Sequence, residues 1–203
     1  MMKNIQKDYD SYRDGGDYGI YPPHSSTLMH STVKYGRNLR IGPNTVIGGI
    51  AFLYPRDEDY RPLNFETLGG VEIGDNVSIG SNVCIERGID EGSDTIIGDD
   101  VKIDNNVLIG HDTDIGKGTK VIAGTNIAGH VFIGMYGYIA LGVSIIPHVR
   151  VGSYSLIGAG STVLRDIPPF EVWAGNPARF LRKDDYFVNI PEDQRKVIID
   201  EWE

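Results

Sequence analysis

The chain has 203 residues, 40% hydrophobic, 23% charged and including 26 glycines, a length that suits one domain with a sizeable core. With 19 Lys+Arg against 28 Asp+Glu the net charge is −9, which leaves no basic footprint for nucleic acid or an anionic membrane. A single cysteine, Cys84, excludes a disulfide framework and any multi-thiolate metal site within one chain.

Residues 1–30 are polar, rich in Tyr, Gly and Asp, and read as an irregular segment without the apolar core of a signal peptide. The longest aliphatic stretch, Tyr138 to Val149, is broken by Gly142, Ser144 and Pro147, so no bilayer span is expected and a cytoplasmic protein is. From residue 31 to 165 a six-residue period dominates. Ile41-Gly42 and Ile47-Gly48 open it, and residues 50–70, with two prolines and mixed charge, read as an insertion projecting from it. Every sixth residue from Ile73 to Val163 is then Ile or Val, except Glu91, which marks a smaller irregularity. Glycine often follows the aliphatic residue, and a small or β-branched residue stands four places after it. The period stops at Asp166. Residues 166–203 read as a cap ending in a helix from Pro191, with an apolar stripe at Val197, Ile198 and Trp202.

Six fits neither the 3.6 of a helix nor the 2 of an ordinary strand. It fits a triangular coil in which each hexad supplies one short strand and one corner, three hexads make an 18-residue turn, and turns stack about 4.8 Å apart through parallel-strand hydrogen bonds. The fold class is therefore all-β, a parallel β-helix. Stepping by 18 sorts residues into columns: Asp94, Asp112, His130, His148 and Asp166 in one, Ser93, His111, Gly129, Pro147 and Arg165 in its neighbour. Three of the five histidines thus share one corner, where random surface placement would scatter them.

The hexapeptide pattern is similar to that of the left-handed parallel β-helix proteins, and the resemblance implies that hand. The stretch from Thr95 through His111-Asp112, followed by Ala128-Gly129-His130, resembles the catalytic region of the sugar acyltransferases of the lipid A pathway and of the bacillosamine-type sugar N-acetyltransferases, over roughly residues 70–163. It implies His111 as general base, Asp112 as the carboxylate that orients it, and Gly129 as the backbone donor facing the oxyanion. Such roles suit an acceptor amine or hydroxyl attacking a thioester, since imidazole takes protons near neutrality. Asp112 reaches His111 only if the corner bends. His130, His148 and Asn105 are candidate substrate contacts.

Trp173-Ala-Gly-Asn-Pro-Ala-Arg179 resembles the ending of coenzyme A-dependent acetyltransferases. It implies that Arg179, Arg182 and Lys183 meet cofactor phosphates, while Ala140, Gly142, Gly158 and Ala159 let a pantetheine arm approach the backbone. Tyr54, Arg56, Tyr60, Arg61 and Phe65 of the insertion are candidates for acceptor recognition. At 203 residues the chain is expected to lack the uridine-binding domain of the lipid A N-acyltransferase and the large helical domain of the O-acyltransferase. The expected donor is therefore acetyl-coenzyme A as co-substrate, with no permanently bound cofactor and no metal. The expected acceptor is a small or nucleotide-linked sugar, and the expected assembly a homotrimer with its sites in the clefts between subunits. The competing readings are a γ-class carbonic anhydrase-like zinc protein, whose ligand spacing His111, His130 and His148 do not match, and a non-catalytic assembly protein on the same fold.

Overall fold

The computed structural model describes residues 25–183 and 190–202. The expected irregular segment lies largely outside that range. Its described end already belongs to the coil, because Leu28–Met29 pairs in parallel with Val46–Ile47 and Leu28 N–H donates to Thr45 O.

Short strands stack into three sheets that form the faces of a left-handed parallel β-helix. The first sheet holds seven strands, from Leu28–Met29 to Thr162–Val163. The second holds six, with Val33–Tyr35 and Arg150–Val151 at its ends. The third holds eight, starting at Arg40–Ile41. From Ile97 to Val163 partners are 18 residues apart, as in Ile97 beside Ile115 and Ile109 beside Ile127, and the cap beyond it pairs at 16, as in Ile157 beside Trp173. The aliphatic residue of each hexad points inward: Ile109, Ile115, Ile127, Ile133 and Ile139 are wholly buried, each worth roughly 1.5–3 kcal/mol in removal from water.

Ahead of Ile97 two spacings exceed 18. Ile85 pairs with Ile109 across 24 residues, so six extra residues leave the coil around Glu91. Ile47 pairs with Ile85 across 38, so twenty more leave it between Gly49 and Gly70. Both detours exit where the chain passes from the first sheet to the second.

Corners need a left-handed residue, which Asn, Asp and His tolerate better than most side chains and Gly best. Each of the three edges meets that need differently. Between the third and first sheets the residues are Asn82, Asn106, Gly124, Gly142 and Gly160, here called the glycine edge. Between the second and third, Tyr136, Tyr154 and Phe170 stack with ring centroids 5.1 and 5.3 Å apart. Between the first and second they are Asp112, His130 and His148, with φ of 54°, 56° and 64°, and this is the histidine edge.

Past Val163 the cap keeps to the coil's path. Ile167 bridges Val151, Glu171–Ala174 adds a parallel strand beside Leu156–Ile157, and Arg179–Lys183 turns back antiparallel to close the third sheet. The helix spans Glu192–Asp200, with Pro191 at its N-cap. Its stripe is divided: Val197 faces solvent, while Trp202 just beyond the helix lies against the Arg150 guanidinium at 4.5 Å. Among the described residues no helix is long and apolar enough to cross a membrane.

Candidate active site

The left-handed conformation of Asp112 supplies the bend that the sequence requires. It swings the Asp112 carboxylate round beside the preceding side chain, and His111 Nδ1 lies 2.8 Å from Asp112 Oδ2. Both side chains are largely covered, at 14% and 13% exposure, so the contact is shielded from water on most sides. One coil on, His130 N–H donates to His111 O at 2.9 Å, which places Gly129 against the imidazole. A Cβ on Gly129 would stand 2.5 Å from His111 Cε1 and 2.6 Å from Nε2. Only glycine leaves the ring where it is.

The Gly129 corner is held from beneath. Thr113 Oγ1 donates to Ala128 O at 3.0 Å and accepts the Val131 N–H at 3.4 Å, gripping the turn on both sides. Gly129 O accepts the His148 N–H, whereas Gly129 N–H has no protein acceptor among the described residues. A backbone donor held rigidly beside an imidazole, with its own hydrogen bond unspent, has the form of an oxyanion donor.

The smaller detour feeds the carboxylate. Ile89 N–H lies 3.3 Å from both Asp112 oxygens, and the Ser93 hydroxyl also donates to it. Burial alone would push the Asp112 carboxyl up. The hydrogen bonds from His111, Ser93 and Ile89, together with His130 nearby, hold it below the usual carboxylate range instead. Glu86, at the end of the strand beneath, accepts the His111 N–H at 3.2 Å. Its carboxyl is pushed up, chiefly by burial. Sequence reasoning missed Glu86, Ile89 and Thr113, and it placed Ser93 in the His111 column without giving it a role. The interruption at Glu91 was the available signal for the first two, since a six-residue detour brings Glu86 beside Gly110 instead of beside residue 104.

The structure brings His111, Asp112, Gly129, His130 and His148 onto one edge. The rings of His111 and His130 meet edge-on at 5.0 Å, and those of His130 and His148 stack at 4.8 Å and 8°. Donor atoms of His111, Asp112 and His130 fall within 4.8 Å of one another, close enough to hold a metal ion, although His111 Nδ1 is occupied by Asp112. The larger detour rises beside them, clamped at its base by Arg87, whose guanidinium donates to Gly48 O at 2.7 Å and Thr67 O at 3.0 Å. Its Phe52, Tyr54, Tyr60 and Phe65 are exposed, and Arg61 pairs with Asp59.

The remaining candidates lie elsewhere in the chain. Asn105 sits at the glycine edge, where its side-chain oxygen accepts the Ser81 N–H at 2.7 Å and braces the corner. Ala140, Gly142, Gly158 and Ala159 share that edge. Gly142 opens to free space, whereas Gly158 lies under Ala174. Arg179, Arg182 and Lys183 belong to the exposed closing strand. Lys183 is paired with Glu171 at 2.7 Å, so its charge is already matched.

No family model matches the chain. Among curated proteins, UDP-3-O-acylglucosamine N-acyltransferase of Xanthomonas oryzae is 43% identical over 56 residues, which is 28% of this chain and 16% of the relative. The same enzyme of Paracidovorax citrulli is 39% identical over 70 residues, 32% of this chain and 21% of the relative. The matched part is thus about a fifth or less of each relative's length. Among solved structures, UDP-N-acetylglucosamine acyltransferase of Bacteroides fragilis superposes with a TM-score of 0.66 at 24% identity, over 89% of this chain and 83% of that one. The Francisella novicida enzyme gives 0.66 at 21% identity, over 89% and 78%. At these identities the likeness establishes the fold.

Proposed function

We propose that the chain is an acyltransferase that moves an acetyl group from coenzyme A to an amine or hydroxyl of a nucleotide-linked sugar, with His111 as general base. The observation that carries the reading is the shielded His111–Asp112 pair set against the glycine at 129. Asp112 fixes the ring through Nδ1, which leaves Nε2 to face the acceptor. The acceptor's nitrogen or oxygen attacks the thioester carbonyl carbon and its proton passes to Nε2. The carbonyl becomes an oxyanion bound by Gly129 N–H. Collapse then breaks the C–S bond, and the proton on His111 goes to the leaving thiolate, giving acyl-sugar and free thiol. His130 and His148 extend the same edge and would contact the acceptor.

Ala140, Gly142, Gly158 and Ala159 occupy the glycine edge, which one copy alone does not bring to its own histidine edge. A cytoplasmic homotrimer with parallel coil axes would set the glycine edge of one copy facing the histidine edge of the next, with Arg179 near the nucleotide end of the donor. The local sequence match to N-acyltransferases and the fold shared with the solved acyltransferases support the reading. The test is His111→Asn, assayed by thiol release from acetyl-coenzyme A with a panel of nucleotide sugars. A loss of about 10²–10⁴-fold with an unchanged melting temperature is expected. Near-normal turnover would remove His111 from the role.

A further inference from the structure

The mechanism above leaves Glu86 without a task, and its surroundings suggest one. The carboxylate accepts two backbone N–H groups, that of His111 at 3.2 Å and that of Phe52 in the larger detour. Both donors are neutral. Among the described residues no Lys or Arg forms an ion pair with Glu86. The adjacent guanidinium of Arg87 is turned to the carbonyls of Gly48 and Thr67. Burial outweighs the two amide donors and the charge interaction with the His111 ring, and the carboxyl is held above its ordinary range. The side chain is half-buried, so part of it stays open to solvent. A carboxylate with no Lys or Arg of its own, beside His111 and joined to the detour that rises over it, is a place a cationic ligand would complete.

We propose that Glu86 binds the ammonium form of the acceptor's amine beside His111, so that the acceptor is an amino sugar and not its hydroxyl counterpart. This rests on the acyl-transfer reading and narrows it. The acceptor docks as R–NH3+ against Glu86 and releases one proton to solvent. The neutral amine then attacks the thioester, its second proton passes to His111, and that proton leaves with the thiol, so one amide and one free thiol form per thioester consumed. A carboxylate placed to hold only backbone would not distinguish the two acceptors. One placed to hold an ammonium adds an ion pair to the hydrogen bond, which a neutral hydroxyl cannot supply.

The experiment uses full-length protein and pairs of uridine diphosphate sugars that differ only by amine or hydroxyl at C2, C3 or C4, with acetyl-coenzyme A and thiol release as readout. In one pair the amine member should turn over about a hundred-fold better, and Glu86→Gln should collapse that ratio at least ten-fold, mainly through KM. Without any variant, the amine member should also bind the unaltered protein at least about ten-fold more tightly than its counterpart by calorimetry. Equal affinity of the two members, or preferred acylation of the hydroxyl, overturns the proposal while leaving acyl transfer intact. A Glu86→Gln protein that melts normally and loses amine and hydroxyl turnover alike overturns it too, because Glu86 is then a brace. Turnover of no acceptor by the unaltered protein overturns the acyl-transfer reading and this inference together.

Discussion

Replacing Gly129 by alanine tests the geometry of the site with one methyl group. The added Cβ would fall 2.5–2.6 Å from His111 Cε1 and Nε2, whereas ordinary carbon contacts begin near 3.4 Å. The ring must therefore retreat by about 1 Å, the scale of misplacement that costs about 10²-fold in a positioned reaction. The backbone at 129 has no positive φ that would forbid alanine, so the coil should survive. A hundred-fold loss of kcat/KM corresponds to about 2.7 kcal/mol of transition-state stabilisation, with the melting temperature changed by no more than a few degrees. The assay is thiol release from acetyl-coenzyme A, with circular dichroism to confirm the fold. If the alanine variant keeps its turnover within about three-fold, the reacting groups do not sit between the 111 imidazole and the 129 amide, and the proposed mechanism fails.

Subunit complementation examines the division of labour between edges. His111→Asn and Ala159→Trp should each be inactive alone, but co-expressed in equal amounts they should regain about a quarter of the sites, those pairing an intact histidine edge with an intact glycine edge of another copy. No recovery in mixed assemblies would place donor and base on the same chain. Acid titration probes Asp112, whose folded carboxyl lies below its ordinary range. The unfolded chain then binds the proton more readily, so the stability this group contributes is present above the ordinary aspartate value of about 3.9 and is lost as pH falls through the depressed one. The melting-temperature gap between wild type and Asp112→Asn should therefore shrink below about pH 4, and a gap that stays constant from pH 3 to 7 would contradict the account.

The coil was legible because its core imposes one aliphatic residue per hexad, a constraint so strict that Glu91 alone breaks it between Ile73 and Val163. The histidine column was legible for the same reason, since stepping by 18 follows the chain once round. The contact between His111 and Asp112 was only conditionally so: it depends on a left-handed residue at 112, and spacing does not report φ. Asn105 precedes His111 by six residues, one hexad, and in this geometry one hexad is one edge, so the spacing already sets it on a different edge from the histidines. Glu86 escaped because its distance from His111 is set by a detour, whose length shifts the column by a full corner, whereas Ser93 stood in the His111 column with nothing in the spacing to report its bond to Asp112.

Both detours leave the inward aliphatic residues in step, Ile85 still meeting Ile109 and Ile47 still meeting Ile85, with one local bulge between Ile47 and Gly49. The smaller detour is tied to the site, since Ile89 and Ser93 hydrogen-bond Asp112, whereas the aromatic tips of the larger one stand clear of the strands that hold the imidazole. Tips of other kinds could be exchanged on the larger detour while the His111–Asp112 contact kept its dimensions. On the proposed mechanism, proton transfer is thus written in the scaffold's rungs and the smaller overhang, and acceptor choice is free to vary in the larger one.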